Sequence, residues 1–300
     1  MRNHRLVLIV VLAVALASLP ALLCVAAESG TSSKIEPDVV YGHKDGLAMT
    51  MDVLRPEGEA NRAGILFMVS GGWYSRWAPP ERMQLLFVPY LNKGYTVFLV
   101  RHGSSPRYSI PEAVADVRQA VRFVRKNADR FGVDVDRLGA MGMSAGGHLA
   151  LMLGTTGEDG APGLLGVGAK DSSRVAAVVA LVPPTDLRVA VWSASESLPA
   201  YRRFPALDLP MEKAKENSPL VHVTPDDAPA LVIMGEKDDL VSPKHGQRID
   251  AAFDEKHVAH KLIILPGATH NLMKKKENRA TVVREALDWF DKHLLQRPKQ

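Results

Sequence analysis

The sequence is poor in cysteine and in net charge, and it has no internal repeat, low-complexity tract or interdomain linker. Cys24 is the only cysteine among 300 residues, so no intramolecular disulfide can form and stability must come from a buried core. The formal net charge of +4 falls to +2 without the first 27 residues, which predicts no nucleic-acid partner. With 46% hydrophobic and 23% charged residues, the composition excludes disordered and collagen-like classes.

Motifs for metals and dinucleotides are also missing. The ten histidines include no His-Glu-x-x-His motif and no close cluster with acidic residues at metal-ligand spacing. No Gly-x-Gly-x-x-Gly opens an early strand–helix unit. We therefore expect no metal and no cofactor.

The first 27 residues have the pattern of a secretory signal peptide. Two arginines precede the apolar residues 6–17, and Ala27 is among the small residues where a signal peptidase cleaves. We expect cleavage before Glu28, a secreted or periplasmic protein of about 273 residues, and no stable membrane insertion after cleavage. A retained anchor is the alternative, because residues 6–27 approach the length of a membrane span, although Pro20 interrupts them.

Short apolar runs alternate with amphipathic stretches along the rest of the chain. Predicted strands cover residues 47–54, 64–69, 95–100, 138–143, 175–182, 230–234 and 261–265, and predicted helices cover residues 80–93, 110–131, 145–153, 244–255 and 279–295. The continuous apolar runs are typical of strands buried on both faces. The alternation predicts an α/β fold in which helices cover both faces of a mostly parallel central sheet. We expect one domain over residues 28–300.

Residues 190–224 break the alternation. They are longer than a usual connection and have no single periodicity. The segment is interpreted either as a lid on the substrate side or as a surface excursion. Four residues of this segment are expected to form one wall of the leaving-group pocket, namely Tyr201, Arg202, Arg203 and Phe204.

A Gly-x-Ser-x-Gly pattern, residues 142–146, lies where a predicted strand meets a predicted helix. A sharp turn between small residues would lift Ser144 above the strand ends. The helix N-terminus would direct backbone N–H groups, that of Ala145 among them, towards a developing oxyanion. This context makes Ser144 the candidate nucleophile.

Asp238 and His270 each follow a predicted strand, in the chain order nucleophile, acid, histidine. A serine hydroxyl is a poor nucleophile near neutral pH and needs a base, which in turn needs an orienting carboxylate. Ligands collect beyond the carboxyl ends of strands in open α/β sheets, so we expect these groups to converge. Gly71 and Gly72 follow an early strand, and their N–H groups are expected to complete the oxyanion hole with Ala145.

Six segments together resemble the α/β-hydrolase superfamily. They are Val69-Ser-Gly-Gly-Trp73, Val100-Arg-His-Gly-Ser-Ser-Pro-Arg-Tyr-Ser-Ile-Pro111, Asp136-Arg-Leu-Gly139, Gly142-Met-Ser-Ala-Gly-Gly-His148, Gly235-Glu-Lys-Asp-Asp239 and Pro266-Gly-Ala-Thr-His270. The branch that looks nearest is that of small secreted carboxylesterases similar to bacterial feruloyl and acetylxylan esterases. The catalytic domain of prolyl-oligopeptidase-type peptidases is a neighbour. The likeness covers essentially the whole mature chain.

The resemblance implies a role for each site residue. It makes Ser144 the nucleophile, His270 the base and Asp238, rather than Asp239, the acid of a triad. The implied oxyanion donors are the N–H groups of Gly71, Gly72 and Ala145. The family usually has His-Gly-Gly-Gly-Trp where this chain has Val69-Ser-Gly-Gly-Trp73, so the resemblance does not say what supports the oxyanion loop here.

Two histidines near these motifs are interpreted as structural. His148 follows the nucleophile by one helical turn and is expected to be a packed or hydrogen-bonded helix residue. His102 and its neighbour Arg101 end a strand on the same side as the site, and we favour a structural role for both.

Aromatic side chains of the oxyanion loop bear on the substrate. Trp73, Tyr74 and Trp77, together with Tyr201, are expected to bind substrate and to restrict the acyl group to short chains. The expected function is hydrolysis of short-chain carboxylic esters of small molecules or carbohydrates through an acyl-enzyme. Two alternatives stay open, a prolyl-oligopeptidase-like serine peptidase and a catalytically silent binding protein on the same scaffold. The oligomeric state is not predicted.

Overall fold

The computed structural model describes residues 34–157 and 172–296, which belong to one compact unit. The predicted signal peptide, residues 1–27, lies outside the described residues. Among those described, none of the helices combines the length and the apolar character needed to cross a bilayer.

Eight strands form one sheet in the order β1-β2-β4-β3-β5-β6-β7-β8. They are β1 (Lys34–Lys44), β2 (Leu47–Arg55), β3 (Gly64–Met68), β4 (Thr96–Val100), β5 (Leu138–Met143), β6 (Ala177–Leu181), β7 (Ala230–Gly235) and β8 (His260–Leu265). The pairs β1–β2 and β2–β4 are antiparallel, and every other neighbouring pair is parallel. The predicted mostly parallel α/β sheet is confirmed.

Helices cover both faces of this sheet. They are α1 (Pro80–Gln84), α2 (Val88–Asn92), α3 (Ile110–Lys126), α4 (Ala128–Phe131), α5 (Ala145–Thr156), α6 (Met211–Glu216), α7 (Lys244–Glu255) and α8 (Lys276–Phe290), which continues as a π-helical turn, Asp291–Leu295. Along β4, Phe98 and Val100 join the core beneath α3, α5 and α7, whereas Val97 and Leu99 join the core beneath α2 and α8. Both faces of the strand are therefore buried, which explains its uninterrupted apolar sequence.

Three elements differ from the prediction. The predicted helix over residues 110–131 is two helices, α3 and α4, which meet at Asn127. Strand β1 was not predicted, because Pro37 and two register shifts disturb the alternation of this edge strand. The predicted helix over residues 80–93 is two short helices, α1 and α2. Pro89 lies in the first turn of α2, and proline is tolerated there but not inside a continuous helix.

Residues 190–224 are folded against the domain. They contain α6 and three short 3-10 helices, Pro199–Arg203, Pro205–Leu207 and Pro219–His222. Leu207 and Ala214 are buried in the core that also holds α3 and α5, and Trp192 Nε1 donates to the Tyr201 carbonyl at 2.9 Å. The segment therefore has its own packed structure, and its role as a lid stays a prediction.

Candidate active site

Ser144 lies at the turn between β5 and α5. Its φ and ψ angles are 56° and −121°, a conformation that a non-glycine residue adopts only when the surrounding structure enforces it. The Ser144 N–H donates to the Leu181 carbonyl at 2.8 Å. A Cβ atom at Gly146 would lie 2.5 Å from the Met68 carbonyl oxygen, and one at Gly142 would collide with the Gly146 backbone. The small residues of the pattern are therefore required by the close approach of three backbone segments.

His270 and Asp238 form a hydrogen-bonded chain with Ser144. The Ser144 Oγ is 2.9 Å from His270 Nε2, and His270 Nδ1 is 2.8 Å from Asp238 Oδ2. The Asp238 side chain is fully buried, whereas that of His270 is 21% exposed. The structure thus brings together the three residues predicted from three separate loops.

The loop after β7 aims the Asp238 carboxylate at the imidazole. Asp238 Oδ1 accepts the backbone N–H groups of Leu240 at 3.0 Å and Val241 at 2.8 Å, which leaves Oδ2 directed at His270. Asp239 is exposed to solvent. The choice of Asp238 over its neighbour therefore agrees with the geometry.

The oxyanion loop is a tight turn. The N–H of Gly71 donates to the Tyr74 carbonyl, and the N–H of Tyr74 donates to the Gly71 carbonyl, both at 3.0 Å. Gly72 and Trp73 between them have φ angles of 58° and 57°, as in a type I′ turn. The described residues give no acceptor to the N–H groups of Gly72 and Ala145. The expectation for Gly71 is corrected, because its N–H is already engaged within the turn.

Polar side chains that follow β3 and β4 support this loop. His102 Nδ1 lies 2.8 Å from the Gly103 carbonyl and must carry the proton, so Nε2 accepts the Ser70 hydroxyl at 2.8 Å. Burial lowers the pKa of His102, which favours this neutral form. The Ser75 hydroxyl donates to the Val69 carbonyl at 2.6 Å. Ser70 thus gives the loop a hydrogen bond that glycine at this position could not provide.

The backbone after β4 also holds the oxyanion loop. The Ser105 N–H donates to the Trp73 carbonyl at 3.0 Å. Arg101 forms an ion pair in another part of the fold. Its Nη1 lies 2.5 Å from the buried Asp52 carboxylate on the antiparallel side of the sheet. The structural interpretation of His102 and Arg101 agrees with these contacts, and sequence reasoning missed that His102 acts on the oxyanion loop.

The predicted substrate-binding aromatics differ in exposure. Tyr74 and Trp77 are exposed by 49% and 56%, so both rings are available to a substrate. Trp73 is only 4% exposed, and its Nε1 donates to His148 Nδ1 at 3.2 Å. The expectation that Trp73 lines the pocket is corrected, because its ring is packed beneath the loop against α5.

Tyr201 and Phe204 contact opposite sides of the site. Tyr201 is buried, and its hydroxyl donates to the Leu240 carbonyl at 2.7 Å in the loop that holds Asp238. Burial, with a smaller contribution from the Asp238 charge, raises the pKa of Tyr201 to about 12. The expectation that Tyr201 binds substrate is corrected, because it braces the acid loop. Phe204 lies against the oxyanion loop, since a Cβ atom at Gly72 would be 2.5 Å from its Cδ1.

Among the described residues, one group of possible metal ligands was not predicted from the sequence. Potential ligand atoms of Asp250, Asp254 and His260 lie within 4.8 Å of one another. The two aspartates are one turn apart on α7, and the histidine comes from β8, so only the packing of strand against helix brings the three together. None of these residues belongs to the loops that carry Ser144, Asp238 and His270.

Comparison with known proteins places this chain in a family. The BD-FAE family model matches residues 51–253. The esterase LipQ of Mycobacterium tuberculosis is 28% identical over 265 residues, covering 84% of this chain and 61% of the relative. An ethyl acetate hydrolase of Pseudomonas putida is 25% identical over 268 residues, covering 80% of this chain and 77% of the relative. The chain spans about half to three fifths of the length of the mycobacterial relatives it matches.

Two solved structures have the same fold. A truncated carbohydrate esterase from gut microbiota has a TM-score of 0.69 at 24% identity, covering 88% of this chain and 98% of that one. The apo form of esterase 2 from Thermogutta terrifontis has a TM-score of 0.68 at 22% identity, covering 90% of this chain and 97% of that one. On the family match and this shared fold, the chain belongs to the BD-FAE family and has the α/β-hydrolase fold.

Proposed function

We propose that this chain is a serine hydrolase that cleaves carboxylic esters. The observation that carries the proposal is the hydrogen-bonded chain from the buried Asp238 through His270 to Ser144. This order of carboxylate, imidazole and hydroxyl is the arrangement that activates serine for acyl transfer. The names of the relatives, among them an esterase and an ethyl acetate hydrolase, support an ester as the substrate.

In the first half-reaction, Ser144 Oγ attacks the ester carbonyl while His270 Nε2, 2.9 Å away, takes the hydroxyl proton. The carbonyl oxygen becomes an oxyanion, which the N–H groups of Gly72 and Ala145 stabilise. When the tetrahedral intermediate collapses, His270 returns the proton to the leaving alcohol and the acyl group stays on Ser144.

In the second half-reaction, water replaces the alcohol. His270 takes a proton from the water as its oxygen attacks the acyl-enzyme, and the proton then returns to Ser144 Oγ as the carboxylic acid leaves. Asp238 remains ionised throughout. Its bond to Nδ1 keeps the proton of neutral His270 on that nitrogen and stabilises the imidazolium formed in each half-reaction.

The surroundings of the oxyanion loop support a small acyl group as part of the proposal. Phe204 packs on Gly72, so a bulky ring lies next to one proposed oxyanion donor. Tyr74 and Trp77 are exposed beyond the turn and offer flat apolar surfaces to the alcohol part of a substrate, such as a sugar. We expect kcat/KM to be highest for acetyl or propionyl p-nitrophenyl esters and to fall in steps beyond butyryl. A maximum at octanoyl would contradict the short-acyl assignment.

The nucleophile can be tested with a fluorophosphonate probe and p-nitrophenyl acetate. Ser144→Ala should lose labelling and at least about 10⁴-fold in kcat. Ser195→Ala, which alters an exposed serine in the 190–224 segment, is the matched control and should behave as the wild type. A wild-type protein that is not labelled would indicate a silent binding protein. Faster turnover of aminoacyl p-nitroanilides than of esters would indicate a peptidase.

Export and cleavage before Glu28 are part of the proposal. The support is the sequence pattern alone, with positive charge, an apolar stretch and small residues in succession. Intact mass and N-terminal sequencing of protein recovered outside the cytoplasm would test the cleavage position. An N-terminus that still contains residues 6–17 would favour a retained anchor.

A further inference from the structure

His148 is a buried residue whose imidazole ring is hydrogen-bonded to Trp73 and Asn217 rather than to Ser144, Asp238 or His270 within the described part of the chain. It lies on α5 with no exposed surface and joins two segments that are distant in sequence. Its Nδ1 is 3.2 Å from Trp73 Nε1, and its Nε2 is 2.7 Å from the Asn217 carbonyl.

These partners determine the protonation state of the ring. An indole N–H can only donate, so Nδ1 of His148 must be unprotonated and accept. A carbonyl can only accept, so Nε2 must carry the proton and donate to Asn217. Burial lowers the pKa of His148 to about 4, so the ring is neutral near neutral pH. His148 is therefore held as one tautomer with both nitrogens engaged.

The bond to Trp73 acts on the oxyanion loop. Trp73 is a non-glycine residue at a φ of 57°, next to Gly72 at 58°, and a bulky residue in the left-handed region persists only where the surrounding structure holds it there. The Trp73 indole packs edge-to-face on the His148 ring, with centroids 5.4 Å apart. The side chain of Trp73 is thus anchored to the same helix whose N-terminus carries Ala145.

We propose that His148 is a positioning residue for the oxyanion hole, a role that rests on the proposed function. By accepting the Trp73 indole N–H, it holds the Gly72 turn at a constant distance from the first turn of α5. The two N–H donors, one from each segment, then stay aligned on the same oxyanion. The bond from His148 to Asn217 belongs to the attachment of residues 190–224 and is not needed for this alignment.

Two substitutions separate the two bonds of the ring. In His148→Asn, the amide oxygen can take the place of Nδ1 and accept the Trp73 N–H, while the donor to Asn217 is lost. In His148→Gln, the amide nitrogen can take the place of Nε2 and donate to Asn217, while the acceptor for Trp73 is lost. Both variants replace an imidazole by a primary amide at one buried position, so each is the matched control of the other.

The proposal predicts opposite outcomes for this pair. His148→Gln should lower kcat for p-nitrophenyl acetate by about tenfold or more and leave KM within about twofold, because an oxyanion contact is made mainly in the transition state. His148→Asn should keep kcat within about threefold of the wild type. Trp73→Phe should lower kcat as His148→Gln does, and the double variant should lose little more than either single one.

The proposal is overturned if kcat falls equally in both variants, or falls more in His148→Asn, while the two variants have comparable thermal midpoints of unfolding. Fluorophosphonate labelling rates provide a second readout, since the phosphonyl oxygen occupies the same hole, and they should fall in His148→Gln but not in His148→Asn. If neither amide variant folds, unchanged kcat in Trp73→Phe overturns the proposal by itself. A wild-type protein that is labelled but turns over no ester would instead refute the proposed substrate class.

Discussion

The two sides of Ser144 are built in different ways. On the acid–base side, Asp238 and His270 lie on short loops after adjacent strands, and the Asp238 carboxylate is held by N–H groups two and three residues further along its own loop. On the oxyanion side, the turn at Gly72 is held by His102, His148 and Phe204, which come from three other parts of the chain.

This difference bears on how each side responds to substitution. A side chain that carries the proton, or that fixes the tautomer of the one that does, has no substitute, so its loss should nearly abolish turnover. An N–H donor that several distant contacts hold in place can shift by small amounts when one contact is lost. The loss of any one contact should therefore change the rate by a smaller factor. Changes on the acid–base side should therefore have the larger effects.

On the acid–base side, a large effect is expected at the acid. Asp238→Asn should lower kcat by about 10⁴-fold, because an amide stabilises the wrong tautomer of His270. Asp239→Asn, at the exposed neighbouring position, should change kcat by less than about tenfold. Steady-state kinetics on p-nitrophenyl acetate would measure both. A larger loss at Asp239 would show that the acid is assigned to the wrong residue.

A smaller loss is expected at the oxyanion turn. Gly72→Ala should lower kcat by about 10²-fold, because its φ of 58° and the Phe204 ring both oppose a Cβ atom. Gly71→Ala keeps the same loop length and meets no atom within 4 Å, so kcat should fall by less than about fivefold. If the two variants lose activity equally, Gly72 is not the sensitive donor.

Residues 190–224 should affect the two sides separately. Phe204→Ala removes a ring from Gly72 and should raise the hexanoyl-to-acetyl ratio of kcat/KM by about tenfold. Tyr201→Phe removes only the hydroxyl that braces the Asp238 loop, so it should lower kcat a few-fold for every acyl length. A chain-length series on both variants would measure the two ratios. A change of acyl preference in Tyr201→Phe would mean that this ring contacts substrate after all.

The smallest effect concerns stability against acid. Burial lowers the pKa of His148 on the oxyanion side, and of His245 on α7, to about 4. Between pH 4 and 6.5 the unfolded chain binds more protons at these two residues, so the free energy of unfolding should rise with pH. Asp227, whose pKa burial raises to about 6, opposes this trend because it binds its proton more tightly in the folded state.

We expect a net slope of about 1 kcal/mol per pH unit from these groups, measured by urea unfolding between pH 4.5 and 6. His148→Asn should lower the slope, and Asp227→Asn should make it steeper. A slope that His148→Asn leaves unchanged would show that the imidazole is protonated in the folded protein over this range.

The sequence by itself determined the order of the strands and helices and the position of the three convergent residues. Buried parallel strands leave continuous apolar runs, and the close backbone approach around Ser144 demands glycine at fixed spacing, so both features are visible within a few residues. Asp238 and His270 could be placed because they directly follow such runs, and parallel strands end at one edge of the sheet. Edge strand β1 was missed because proline and bulges hide its pattern.

Only the tertiary structure decided what each neighbour of the site does. Gly71, Trp73 and Tyr201 lie in the segments where a substrate contact was expected, yet their polar groups are bound to other protein groups. The partners of Trp73 and Tyr201 are distant in sequence. Gly71 is bound to Tyr74 within the same turn, and the conformation of that turn depends on contacts with distant residues. A hydrogen bond between distant residues leaves no periodic signal in the sequence, because either residue type occurs in many other environments. The support of the oxyanion loop by His102 and His148 could therefore be found only once the chain was folded.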